Sequence, residues 1–400
     1  MSMSFARSAV VLGLLASVGP FSIDMYLPAL PEVATDLDAS IAAAQTTLTA
    51  FFIAFGLFQI VFGPLADRYG RKPPLYAGLT LVLLGSIGCV FATSIEALVF
   101  FRVIQGIGGA SVMVVPRAII RDMHTGTEAT RLMALIMLVI SVSPLFAPLT
   151  GSALIVYFDW RAIFGVLAVL AILSLMLTRF VLPETLKPQD IVPINLKTMM
   201  AGTKTLMTDR GFMGLTFIGA FGFASFIVFL ASASFIYTGH YGLTPIQFSL
   251  AFAANAFGFI GASQFAPMLG MKYGMARVIL FAVIGYAVFA FLLLGAVLAG
   301  FSDLTTVMVL LFFTFACQGL ILPTTMVMAL DDHGEIAGLA SSLGGTLQMV
   351  SGGLVIAAFG PFFDGTPTPM VAAIAMSSLV ALVLALLTVA RRRPVSQPAE

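Results

Sequence analysis

Of 37 charged side chains (19 Lys and Arg, 18 Asp and Glu), only Asp24 and Arg102 fall well inside long apolar runs. Asp24 follows VVLGLLASVGPFSI, and Arg102 follows ALVFF. A charge at the centre of a bilayer costs roughly 2.5–3.5 kcal/mol on insertion scales, so it is kept where it has a partner or a task. Asp24 lies seven residues before Pro31, and Arg102 lies six after Glu96. At 1.5 Å per residue, both sit about 10 Å from the same membrane boundary. Burial favours the protonated carboxyl and a nearby guanidinium favours the ionised one, an opposition that suits proton exchange. The plainer reading is a buried ion pair that only fixes helix register.

A second constellation is GPLADRYGRK, residues 63–72. Gly70 permits the sharp turn that a short loop between helices demands. Asp67 and Arg68 would close one helix, and Arg71 could pair with Asp122, which ends another in RAIIRD. The plainer reading is a loop that is charged because it is wet. GIGGAS (106–111) imitates part of a dinucleotide fingerprint but lacks a preceding strand, so helix packing through small residues is expected instead. DDHGE (331–335) reads as a solvated loop capping the helix that follows, not as a metal cluster. His124, His240 and His333 fall at the ends of apolar runs and form no ligand set, and Cys89 and Cys317 read as buried packing residues.

These residues must be positioned by membrane helices. The 400-residue chain is 60% hydrophobic and 9% charged, with mean hydropathy +1.07, against roughly 25% charged in ordinary soluble domains. Its net charge of +1 suggests no nucleic-acid partner. Windows of about 20 apolar residues, enough to cross a bilayer, occur near 8–30, 44–66, 74–94, 97–120, 132–157 and 161–183. They resume near 211–237, 246–270, 276–299, 304–330, 336–362 and 368–390. The expectation is an all-α membrane protein of twelve helices. With a cytoplasmic N-terminus, 17 of 19 Lys and Arg fall on the inside, Arg391, Arg392 and Arg393 among them. That bias places both termini in the cytoplasm. The polar interval divides the chain into a six-helix bundle (1–183), a cytoplasmic linker (184–210), a second six-helix bundle (211–391) and a tail (392–400). LKTMMAGTKTLM within the linker reads as an amphipathic segment. PLADRYGRK is echoed by PMLGMKYGMAR about two hundred residues later, with Gly274 matching Gly70, as an internal duplication would leave it.

The motifs carry a family resemblance. GPLADRYGRK resembles the loop signature between the second and third helices of the major facilitator superfamily, and LPET (182–185) fits the same group. FRVIQGIGGA (101–110) resembles the fourth-helix motif of its proton-coupled drug antiporters. DMYLPALP (24–31) resembles the first helix of the bicyclomycin and chloramphenicol resistance subgroup. The fifth-helix motif departs from the exporter pattern: APLTGS (147–152) keeps Pro148 and Gly151, with Pro144 just before, but has Ala147 and Ser152 where glycines are usual.

The resemblance implies two six-helix half-bundles and alternating access, with helices one and four lining a central cavity. It implies proton-coupled efflux of small, moderately hydrophobic drugs, such as amphenicol or bicyclomycin-like compounds, from a bacterial inner membrane. Asp24 would carry the proton, Arg102 would modulate it, and Tyr26 and Asn255 would join them at the substrate. Asp67 would face the N-terminal end of the eleventh helix, near Gly334 to Gly338. With Arg68, Gly70, Arg71 and Asp122 it would form a latch between the half-bundles that favours the outward-open state. No metal or cofactor is implied, and the expected unit is a monomer. Proton-coupled import of a metabolite on the same fold remains open, since the motifs for exchange and symport overlap. A membrane enzyme is disfavoured, because no Ser/His/Asp elbow, zinc-spaced His pair or phosphate loop occurs. A receptor or scaffold would gain little from a buried acid.

Overall fold

The computed structural model describes residues 5–124, 126–191, 196–331 and 333–390. Asp332, Arg391, Arg392, Arg393 and the 392–400 tail lie outside the described residues. Twelve helices in the described chain are long and apolar enough to span a membrane. Their cores are α1 (Phe5–Asp24), α2 (Ile41–Tyr69), α3 (Lys72–Val90), α4 (Ile95–Met123), α5 (Gly126–Tyr157) and α6 (Arg161–Phe180). They continue with α7 (Arg210–Ser234), α8 (Pro245–Tyr273), α9 (Met275–Leu298), α10 (Leu304–Asp331), α11 (Ala337–Phe359) and α12 (Pro367–Thr388). Helices satisfy their backbone groups internally, which is what lets a chain cross lipid. The linker segment forms its own helix, Leu196–Thr208.

Local chemistry sets the helix starts. Ser40 and Ser94 cap α2 and α4, each accepting a backbone N–H at 3.2 Å. Thr244 and Gln247 form a capping box at the start of α8, with Pro245 at its first position. Gly70 and Gly274 end α2 and α8 with φ of +99° and +82°, so the sequence echo is also an echo in backbone geometry. Two of the expected spans are present but differ in detail. The first span is not one helix through residue 30: it breaks after Asp24, turns through Leu27–Ala29 and restarts as Leu30–Asp36. Pro28 has no N–H to continue the ladder. The sixth ends at Phe180, leaving residues 182–185 free to bond elsewhere.

Helices pack mainly within each sequence half, α2 and α3 on α4 in the first, α8 and α9 on α10 in the second. Two broad contacts join the halves, α2 with α11 and α5 with α8. A Cβ on Gly56 of α2 would lie 2.7 Å from Met349 Cβ on α11, so this crossing needs a glycine.

Candidate functional site

Asp24 is the last residue of α1 and is 5% exposed. Among the described residues its one side-chain partner is the Ser143 hydroxyl of α5, which donates to Oδ2 at 3.2 Å. Arg102, on α4, is completely buried. Its Nη1 donates to the Ser22 carbonyl at 2.9 Å and to Gln105 Oε1, and Gln105 in turn donates to Ser86 Oγ at 2.8 Å. The guanidinium carbon lies 4.3 Å from the Phe51 ring centre, 4.9 Å from Tyr26 and 5.9 Å from Phe164. Rings at these distances attract the cation through their quadrupoles.

The expected Asp24–Arg102 pairing is therefore incomplete. Equal depth is correct, since Arg102 bonds the backbone two residues before Asp24. However, the two side chains form no ion pair, because the guanidinium turns toward the aromatic rings and Gln105. The other proposed contact residues also separate. Tyr26 stays with Arg102 and shares a 3.0 Å hydrogen bond with Thr47. Asn255 lies on α8 and donates to Tyr237 Oη at 3.1 Å. Both Tyr26 and Asn255 are fully buried. Sequence reasoning missed Ser143 and the Phe51 and Phe164 rings. Only Gln105 carried a signal, three residues beyond Arg102 on the same helix face.

Neutral hydrogen bonds tie the halves together. Gln45 Nε2 donates to the Ala231 carbonyl at 3.1 Å, and Thr346 Oγ1 donates to the Gly56 carbonyl at 2.6 Å. Ser152 Oγ donates to the Pro245 carbonyl at 2.7 Å and lies 2.8 Å from Ser249 Oγ. The departure at Ser152 is thus a tie between α5 and α8. Gly151 packs so tightly on the Met25 carbonyl that a Cβ has no room. Pro144 and Pro148 lie inside α5, and Ala147 is buried.

At the end of the bundle that carries the 63–72 loop, the basic end, the halves part around a cavity of about 670 Å³. Asp67 and Gly338 both line it. The expected Arg71–Asp122 pair forms, while Asp67 and Gly338 stand on opposite walls, so the hydrogen bonds of this loop reach only the first half and the start of the linker. Arg71 binds Asp122 through Nε at 2.7 Å and Nη2 at 3.0 Å, and binds Asp67 through Nη1. Glu184 accepts the Arg71 and Lys72 backbone N–H groups at 2.8 and 3.0 Å, and Thr185 Oγ1 donates to Asp122 at 2.9 Å. Gly70 turns where a Cβ would meet Glu184 Oε2 at 2.7 Å, and Arg68 is exposed. Burial works against the Arg71 cation, but the Asp122 and Asp67 carboxylates more than offset it and hold its pKa above the ordinary arginine value. Across the bundle, His333 does not cap α11. Its Nε2 lies 2.9 Å from Asp209 Oδ2, and Asp209 caps α7.

The chain is similar to known transporters throughout. It is 32% identical to the uncharacterized MFS-type transporter YdgK of Bacillus subtilis, covering 93% of this chain and 92% of that one. It is 30% identical to a bicyclomycin resistance protein homolog of Haemophilus influenzae, covering 90% of each. The crystal structure of a D-xylose-proton symporter superposes with a TM-score of 0.75, at 17% identity over 96% of this chain and 97% of that one. The family model described as Major Facilitator Superfamily matches residues 12–356. A multi-pass chain of twelve spans, parted at one end by a cavity and matched by that family model over most of its length, belongs to the Major Facilitator Superfamily and is a membrane transporter, not an enzyme.

Proposed function

We propose that the protein exports small, moderately hydrophobic drugs from a bacterial inner membrane in exchange for protons. The observation that carries this reading is Asp24, buried with a neutral hydroxyl as its one side-chain partner among the described residues. A carboxylate without a cation is costly at this depth. The group pays for its place by alternating between a protonated buried form and an ionised hydrated form. Its position at the C-terminal end of α1, where carbonyl dipoles oppose a negative charge, supports the same cycle. The bicyclomycin resistance homolog among the relatives supports a drug cargo.

Exchange proceeds by rocking of the two halves, residues 1–183 and 211–391, about the α2–α11 and α5–α8 contacts. The cavity at the basic end opens to the cytoplasm, where both termini lie. In this inward-facing state Asp24, Tyr26, Arg102 and Asn255 are closed off. They become the drug contacts when the opposite end opens, and Asp67 then meets the start of α11. The unit of transport is the monomer.

The test is drug-induced proton release from purified protein in detergent, comparing wild type with Asp24→Asn across amphenicols and lipophilic cations. Release in wild type and none in the variant supports the exchange at Asp24. Drug binding without release in either protein overturns it.

A further inference from the structure

The basic-end cavity holds a cation, Arg117, that makes no ion pair among the described residues. Arg117 of α4 lines the cavity. Its Nε is enclosed without a hydrogen-bond partner, and its Nη2 contacts Met113 Sδ at 3.8 Å, a weak acceptor. Arg121, one turn further along α4, adds a second positive charge to the same wall. Asp67 is the one acid among the described lining residues, and its Oδ1 is already bound by Arg71. On the opposite wall α11 begins at Ala337, whose N–H donates to the Gly334 carbonyl; Ile336 and His333 supply no side-chain cap, and the exposed Glu335 lies in the preceding turn without lining the cavity. An uncapped helix start carries partial positive charge. A guanidinium whose buried Nε lacks a hydrogen-bond partner is costly, and an anion would relieve that cost while meeting the helix end.

We propose that this cavity is a binding site for a small organic anion, a carboxylate or phosphate monoester with an apolar body. Arg117 takes the anionic group, together with the N-terminal end of α11. Ile60, Val114 and Met199 supply an apolar surface for the rest of the molecule. Asp24 does not line this cavity, so the site stands independently of proton exchange. An occupant would also keep Asp67 and Gly338 apart, holding this end open.

The experiment is titration calorimetry on the full chain in nanodiscs of phosphatidylcholine, with phenyl phosphate and benzoate as probes and benzyl alcohol as the neutral control. Wild type should bind the anions and not the alcohol. Arg117→Gln should lose about tenfold or more in affinity, Arg117→Lys should lose less, and Asp24→Asn should bind as wild type does. Ser342→Asp, which places an acid on the opposite wall, should also lose the probes, and it keeps the test valid if Arg117→Gln does not fold. Equal binding of the alcohol, or unchanged affinity in both Arg117→Gln and Ser342→Asp, would overturn the proposal. A parallel arm uses nanodiscs containing phosphatidylglycerol, with native mass spectrometry of the released protein. Phosphatidylglycerol retained through Arg117, with no probe bound in either lipid, would overturn a soluble ligand in favour of a lipid headgroup.

Discussion

Ser143 donates its hydroxyl to Asp24 across the contact between α5 and α1, so the buried acid is held by a helix that also touches the other half of the bundle. A movement of α5 against α8 would therefore reach Asp24 through this neutral bond and through Gly151, which packs on Met25.

Ser143→Ala removes that bond and leaves the carboxyl itself in place. In proteoliposomes with an imposed proton gradient, Asp24→Asn should abolish coupled drug transport. Ser143→Ala should remain coupled but run about tenfold slower, in line with a hydrogen bond to a charged group. Full coupled activity in Asp24→Asn would assign the proton to another residue.

Arg102 tests how much of the first half depends on its aromatic enclosure. Arg102→Ala should lower stability by about 3 kcal/mol or more, since it leaves a hole among Phe51, Tyr26 and Phe164 and frees Gln105 and the Ser22 carbonyl. Arg102→Met, of similar length and without charge, should cost less. Thermal unfolding in detergent compares the two.

The Ser152–Ser249 contact offers a direct probe of the seal. Their hydroxyl oxygens are 2.8 Å apart, so the double variant Ser152→Cys with Ser249→Cys should form a disulfide under mild oxidation. Transport should stop on oxidation and return on reduction. A crosslinked protein that still transports would contradict rocking of α5 against α8.

Asp209 gives a pH dependence. Burial raises its pKa, but the Phe212 and Gly211 N–H groups and His333 outweigh burial and leave it below the ordinary aspartate value. A carboxyl held low in the folded protein contributes stability above its unfolded pKa, and that contribution is lost as pH falls through the folded value. The start of α7 should therefore loosen only in acid, below the usual aspartate range, as read by amide exchange at Phe212 and Met213. Asp209→Ala should loosen it at neutral pH, costing about 1 kcal/mol as a lost helix cap.

The twelve spans were legible because lipid imposes length and apolarity on each one, whatever its neighbours. Gly70 and Arg71 were legible for a local reason, since turn geometry and short-range pairing are written in adjacent residues. The partners of Asp24 and Arg102 were not. Ser143 stands 119 residues from Asp24, and serines are common enough in membrane helices that its type carries no message. The direction of the Arg102 side chain was decided by rings on α2 and α6, and among 36 phenylalanines nothing in the sequence marks Phe51 or Phe164. The latch was placed between the halves because motif spacing does not record which conformation the helices adopt.

The described hydrogen bonds between the halves come from Gln45, Ser152 and Thr346, none of them ionised. Mobile ions screen charges, but they leave an uncharged amide or hydroxyl bond almost untouched. Closure built this way holds with the same firmness in dilute water and in brine. A cell would not need to retune it when the salinity of its surroundings changes.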